Sequence, residues 1–175
     1  FMLQKARQFM RRRGYTVYSV CEWKDGKTLS EELKPANRAN NWYSLSKSFT
    51  SAAVGMLEQE GKLRRGDRIA DYIGDLFPAE NAGKLQTVTV RSLLAHAAGF
   101  AEGVLFEADR YGHGTDDWAA YALSLPMPYA PGEKSVYSNA SYYLLSRIAE
   151  RAAGERLFDY LREKLLRPLG FRDYA

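Results

Sequence analysis

Apart from one stretch near its start, this chain repeats its apolar residues with the period of a helix, and that pattern sets the fold it can adopt. Between 45 and 63, Leu45, Phe49, Ala52, Ala53, Met56 and Leu57 recur at three- and four-residue steps, which predicts a helix starting just after Ser44 and closed by Gly61. The segments Asn139 to Ala153 and Leu157 to Leu166 carry the same signature, separated by Gly154 and ended by Pro168 and Gly170. Shorter segments lie between them. Ile69 to Phe77 is apolar and stops at Pro78, Val88 to Ala97 reads as an extended approach to a helix ended by Gly99, and Trp118 to Leu125 reads as a helix stopped by Pro126. A loop is expected around Tyr111-Gly112-His113-Gly114.

The exception lies at the front. Met2, Ala6, Phe9 and Met10 fit one face of a short amphipathic helix ended by Gly14. Tyr15 to Trp23 is then rich in β-branched and aromatic residues, Asp25-Gly26 marks a tight turn, and Lys27 to Leu29 returns as a weaker strand. Polar residues from Lys34 to Asn41, with Pro35 among them, predict a loop leading to Tyr43-Ser44. The expected class is α+β: an N-terminal helix and hairpin (1–43) followed by a mainly helical part (44–175), together a single domain.

Composition narrows the function classes. With 175 residues, 46% of them hydrophobic and 26% charged, the chain has the profile of a globular protein large enough to bury a core. One cysteine, Cys21, leaves no internal disulfide. No apolar run approaches the roughly 18 residues of a membrane span, and Arg7 and Arg11-Arg12-Arg13 stand where a signal peptide would continue its apolar segment. Twenty-five Lys and Arg against 21 Asp and Glu give a net charge of +4, yet most of the basic residues alternate with acids, which argues for a solvated surface and against nucleic acid as partner. Two histidines, His96 and His113, are too few for a typical zinc cluster, so no metal is expected, and without a phosphate loop or a nucleotide fingerprint, for which Gly112-His113-Gly114 is too short, no cofactor is expected either.

The chemistry-bearing pattern is Ser44-Leu45-Ser46-Lys47. In the first turn of a helix, residues three apart share a face, so an amine at 47 can reach a hydroxyl at 44. A helix N-terminus favours a developing alkoxide, and burial would make the lysine a better proton acceptor. The same residues also read as an N-capping serine followed by a solvated lysine. A second cluster, Tyr137-Ser138-Asn139, follows Pro131-Gly132 and directly precedes a predicted helix, which Asn139 could cap.

Five segments in order carry a resemblance: Tyr43-Ser44-Leu45-Ser46-Lys47-Ser48-Phe49-Thr50, Glu60-Gly61-Lys62-Leu63, Leu93-Leu94-Ala95-His96-Ala97-Ala98-Gly99, Pro131-Gly132 with Tyr137-Ser138-Asn139, and Arg167-Pro168-Leu169-Gly170. With them the chain resembles the serine β-lactamase and D-alanyl-D-alanine peptidase superfamily, in particular the class C β-lactamase-like serine hydrolases. The resemblance implies a β-lactamase/transpeptidase-like fold and a serine hydrolase acting through an acyl-enzyme on Ser44. Lys47 or Tyr137 would take the serine proton, Tyr137 would protonate the leaving group, and Asn139 would hydrogen-bond Lys47 and a substrate amide. It implies an ester, a β-lactam or a D-alanyl peptide as substrate and a location in the bacterial envelope or outside the cell. His96 falls in a stretch read as hydrogen-bonded scaffold, and Ala98 stands where a serine is common.

In the family a third motif, Lys-Thr-Gly or His-x-Gly, lies on a later strand that supplies an oxyanion N–H and closes the sheet. Nothing after Tyr137 matches it, and Lys27-Thr28-Leu29 lies upstream without the glycine. The resemblance therefore covers the first half or so of a family member, with the remaining strands coming from outside these 175 residues or from another chain paired at an open sheet edge. The rival reading is a non-catalytic or truncated domain of the same ancestry that binds a peptidoglycan-like ligand or a protein.

Overall fold

The computed structural model describes residues 2–35, 41–103, 105 and 117–171. The expected loop at 111–114 lies outside the described residues, as does most of the one at 34–41. The chain divides into two compact units, residues 1–42 and 43–175.

In the first unit, helix α1 (Met2–Arg12) is followed by strands β1 (Ser19–Lys24) and β2 (Lys27–Glu32), paired antiparallel with Ser19 opposite Glu32 and Lys24 opposite Lys27. Asp25 and Gly26 both have positive φ (52° and 74°), the backbone that a two-residue hairpin turn demands. The first strand starts later than its composition predicts. Gly14 turns left-handed, the Tyr15 amide donates to the Met10 carbonyl, and the Tyr15 ring meets Phe9 edge-on, so these residues finish the helix instead of starting the strand. Arg7 pairs with Glu31 at 2.6 Å, and the Leu3 amide donates to Glu22 at 3.2 Å, fixing α1 against the hairpin.

The second unit is built around two helices. A 3₁₀ turn, Tyr43–Leu45, leads into α2 (Ser46–Gln59), which ends where Gly61 turns left-handed and the Lys62 amide closes back on the Leu57 carbonyl. Short helices α3 (Ala70–Ile73), α4 (Ala82–Leu85), α5 (Val90–Leu94) and α6 (Trp118–Ser124) follow. Then come α7 (Asn139–Ala153) and α8 (Leu157–Leu161), the latter continuing as a wider π turn over Arg162–Leu166. Helix α7 is the hub, in contact with α2, α3, α5, α6 and α8. Its inward residues Ala140, Leu144, Leu145, Ile148 and Ala149 are fully buried, as are Ala53 and Leu57 of α2. Each such Leu or Ile contributes about 1.5–3 kcal/mol by leaving water, so the α2–α7 seam is strongly specified.

Helix α5 is shorter than its apolar run suggests. A capping box between Thr89 and Ser92 starts it, and it stops at Leu94, because His96 takes the left-handed backbone (φ 55°). Beyond it, the chain from 95 to 101 runs beside the segment 126–136. Gly132 donates to the Ala97 carbonyl at 2.7 Å, Val136 to that of His96 at 2.8 Å, and the Ser135 hydroxyl to that of Ala95 at 2.8 Å. Gly99 is buried here with φ 101°, and a Cβ on it would stand 2.5 Å from the Tyr129 carbonyl oxygen. Both the backbone angle and the space exclude a side chain.

Gly99→Ala should accordingly cost about 1–3 kcal/mol of stability, read as a lowered Tm by calorimetry. Glu60, at the end of α2, accepts from Lys62, Lys164 and Tyr160, and the lysines hold its carboxyl down at about 2 against an ordinary 4.5. A depressed carboxyl stabilises the fold above its unfolded pKa, and the contribution is lost as pH falls through the folded value. Acid unfolding of Glu60→Gln should therefore lack a component that the parent loses between about pH 4.5 and 2.

Candidate active site

Contacts between α2 with the turn before it and α7 with the residues before it advance together along the two sequences: 44 with 137, 47 with 139, 51 with 142. The helices thus begin side by side, and their first turns form the site.

Ser44 sits in the exposed 3₁₀ turn before α2, next to Tyr43, whose φ of 44° is uncommon for a bulky residue. The Ser44 Oγ lies 2.6 Å from the Tyr137 hydroxyl, and the Lys47 ammonium donates to the same Oγ at 3.3 Å. Lys47 also donates to Asn139 Oδ1 at 2.7 Å. The four residues singled out from the sequence, Ser44, Lys47, Tyr137 and Asn139, therefore form one connected cluster. Neither alternative capping role is realised: the helix α2 boundary falls at Leu45 with no side-chain cap, and Asn139 is already the first residue of α7, its amide oxygen taken by Lys47.

The ammonium sets the electrostatics. Its nitrogen stands 5.1 Å from the centre of the Tyr137 ring and 5.9 Å from that of Tyr142. Hydrogen bonding to the Lys47 ammonium, and after it to the Ser44 hydroxyl, holds the Tyr137 phenol below its ordinary value of 10, with the Lys47 charge adding in the same direction. His96 is half-buried, and burial, followed by the Lys47 charge, pushes its imidazole below 6.5. The phenolate form of such a tyrosine, in hydrogen-bond contact with a hydroxyl beside a cation, can remove that hydroxyl's proton and turn it into a nucleophile.

Sequence reasoning missed Tyr142. Its hydroxyl meets Ser51 Oγ at 3.2 Å and donates to the Leu94 carbonyl at 3.2 Å, tying α7 to both α2 and the end of α5. Helical spacing held the signal, since Tyr142 lies three residues after Asn139 and Ser51 four after Lys47, each on its neighbour's face. Among the described residues, no group of three or more His, Cys, Asp or Glu is arranged to hold a metal ion, and no helix is long and apolar enough to cross a membrane.

Residues 3–175 match the sequence model of the family described as Beta-lactamase. The chain belongs to the beta-lactamase family. Among curated relatives, a protein of Escherichia coli (strain K12) named "Putative D-alanyl-D-alanine carboxypeptidase" is 32% identical over 163 residues, covering 83% of this chain and 36% of the relative. Protein flp of Staphylococcus aureus (strain MW2) is 27% identical over 128 residues, covering 72% of this chain and 26% of the relative. The chain thus spans about a third of the length of the curated relatives it matches.

Solved structures agree on the fold. The octameric penicillin-binding protein homologue from Pyrococcus abyssi superposes with a TM-score of 0.66 at 26% identity, over 97% of this chain and 43% of that one. A class C beta-lactamase mutant superposes with a TM-score of 0.72 at 21% identity, over 94% of this chain and 47% of that one. The fold is β-lactamase/transpeptidase-like, represented among the described residues by its helical part and a two-stranded hairpin.

Replacing Lys47 by Met removes the hydrogen bond, and with it the charge, that favours phenolate. The Tyr137 phenol should then titrate closer to 10, an upward shift observable in the ring carbon signals of ¹³C-tyrosine-labelled protein across alkaline pH.

Proposed function

We propose that the protein is a serine hydrolase that opens ester or amide carbonyls through an acyl-enzyme on Ser44. The observation that carries this reading is the convergence on one hydroxyl: Ser44 Oγ is 2.6 Å from Tyr137 and 3.3 Å from Lys47, and Lys47 is held 2.7 Å from Asn139.

The steps follow from those contacts. In the phenolate form that Lys47 favours, Tyr137 takes the Ser44 proton as Oγ bonds to the carbonyl carbon. The same proton then passes from the phenol to the departing alkoxide or amine as the carbon–leaving-group bond breaks. Water attacks the acyl-enzyme by the reverse arrangement, releasing the carboxylic acid and restoring Ser44. Tyr137 is favoured as the base over Lys47 because its oxygen is nearer and its pKa is lowered, while Lys47 already donates to both Ser44 and Asn139. Asn139 keeps the ammonium in place, and its Nδ2, 3.5 Å from the Leu105 carbonyl, is a donor suited to a substrate carbonyl. A D-alanyl peptide or a β-lactam fits the names of the relatives, and a simple carboxylic ester needs no further recognition.

Incubation with a fluorophosphonate or penicillin probe should add one probe mass to the protein, read by intact-mass spectrometry, and Ser44→Ala should add none. Tyr137→Phe should slow labelling by about 10²–10⁴-fold, the usual worth of a general base. A labelled Ser44→Ala protein sinks the nucleophile assignment. An unlabelled parent at high probe concentration favours a non-catalytic domain that binds a peptidoglycan-like ligand or a protein partner.

A further inference from the structure

His96 brackets Tyr137. Its backbone carbonyl accepts the amide of Val136 at 2.8 Å, its Nδ1 accepts the amide of Ser138 at 3.2 Å, and its ring lies 4.7 Å from the Tyr137 ring, tilted by 30°. The residues immediately before and after the tyrosine are therefore both bonded to one histidine, and the tyrosine rests on that histidine's ring. The imidazole also packs 4.9 Å from the Tyr142 ring. His96 makes both bonds, from its carbonyl and from its side chain, while in the left-handed backbone conformation (φ 55°).

We propose that His96, in its neutral form with the proton on Nε2, is a positioning residue that holds Tyr137 at hydrogen-bond distance from Ser44. The proposal rests on the reading of Tyr137 as the base of a Ser44 hydrolase. Without His96, Tyr137 would be poorly anchored for that role, being 41% exposed and placed in an irregular segment before α7, where no regular ladder fixes its backbone. A displacement of about 1 Å can cost a catalytic group on the order of 10²-fold in rate. An imidazolium could not accept from the Ser138 amide and would add a second cation near Lys47. The titratable or charged groups facing the ring, among the described residues, are Lys47 from α2, Tyr137 from the segment before α7 and Tyr142 from α7 itself. Burial and Lys47 both favour the neutral ring.

Two substitutions separate the imidazole from the backbone. His96→Gly tolerates the left-handed angle and keeps the carbonyl but loses the Nδ1 acceptor. His96→Asn also tolerates that angle and places Oδ1 where Nδ1 stands. His96→Gly should slow labelling by a fluorophosphonate probe on the order of 10²-fold and raise the Tyr137 phenol titration towards 10, while His96→Asn should return both most of the way to the parent. In the unaltered protein, the ¹⁵N–¹H signal of Ser138 should follow the titration of the His96 imidazole. The proposal is overturned if His96→Gly labels and titrates like the parent, if His96→Asn behaves no better than His96→Gly, or if the Ser138 amide ignores the imidazole. A parent protein that the probe does not label would remove the hydrolase reading, while the Tyr137 titration in His96→Gly would still decide whether His96 positions the phenol.

Discussion

Everything in the helical unit depends on α2 and α7 starting side by side. Two helix N-termini bring unsatisfied amides and partial positive charge to one place, and Lys47 adds a full charge there. Such an arrangement needs oxygen acceptors, and it has them: Ser44 Oγ and Asn139 Oδ1 accept from the ammonium. The Tyr137 phenol is pushed towards its anion chiefly by hydrogen bonding to the same ammonium. The cluster is thus electrostatically biased towards negative oxygen, whether phenolate, alkoxide or the oxyanion of an attacked carbonyl.

The apolar seam behind the cluster makes it rigid. Leu57, Leu144, Leu145 and Ile148 are fully buried, so sliding α2 against α7 by one turn would expose them at a cost of several kcal/mol. Ser51 and Tyr142 then join the helices just behind the cluster, and Tyr142 continues to the Leu94 carbonyl. The polar cluster sits at the open end of a well-packed interface, where Ser44 and Tyr137 are exposed to solvent.

Much of this is legible in the order of the amino acids. The three long helical patterns appear as helices close to their predicted limits, with Gly61 and Gly154 left-handed where each of the first two stops. The hairpin turn at Asp25-Gly26 is where its residue types require it. The departures share a physical origin. Tyr15 to Tyr18 have strand-forming side chains, but the turn at Gly14 and the Phe9 contact commit Tyr15 to the helix end. Ser44 and Asn139 have the composition of caps, but a nearby ammonium and phenol compete for their side chains and win.

Local periodicity, glycine placement and the serine–lysine spacing were determined by the sequence, because each depends on residues within a turn or two of one another. The joining of Ser44 to Tyr137 across 93 positions was decided only in three dimensions, as was the bracket that His96 forms around that tyrosine. Its left-handed backbone and its bonds to residues 136 and 138 arise from the meeting of the chain after α5 with the chain before α7. No repeat or period marks such a meeting in advance, since it is set by how the buried faces of α2, α5 and α7 pack together.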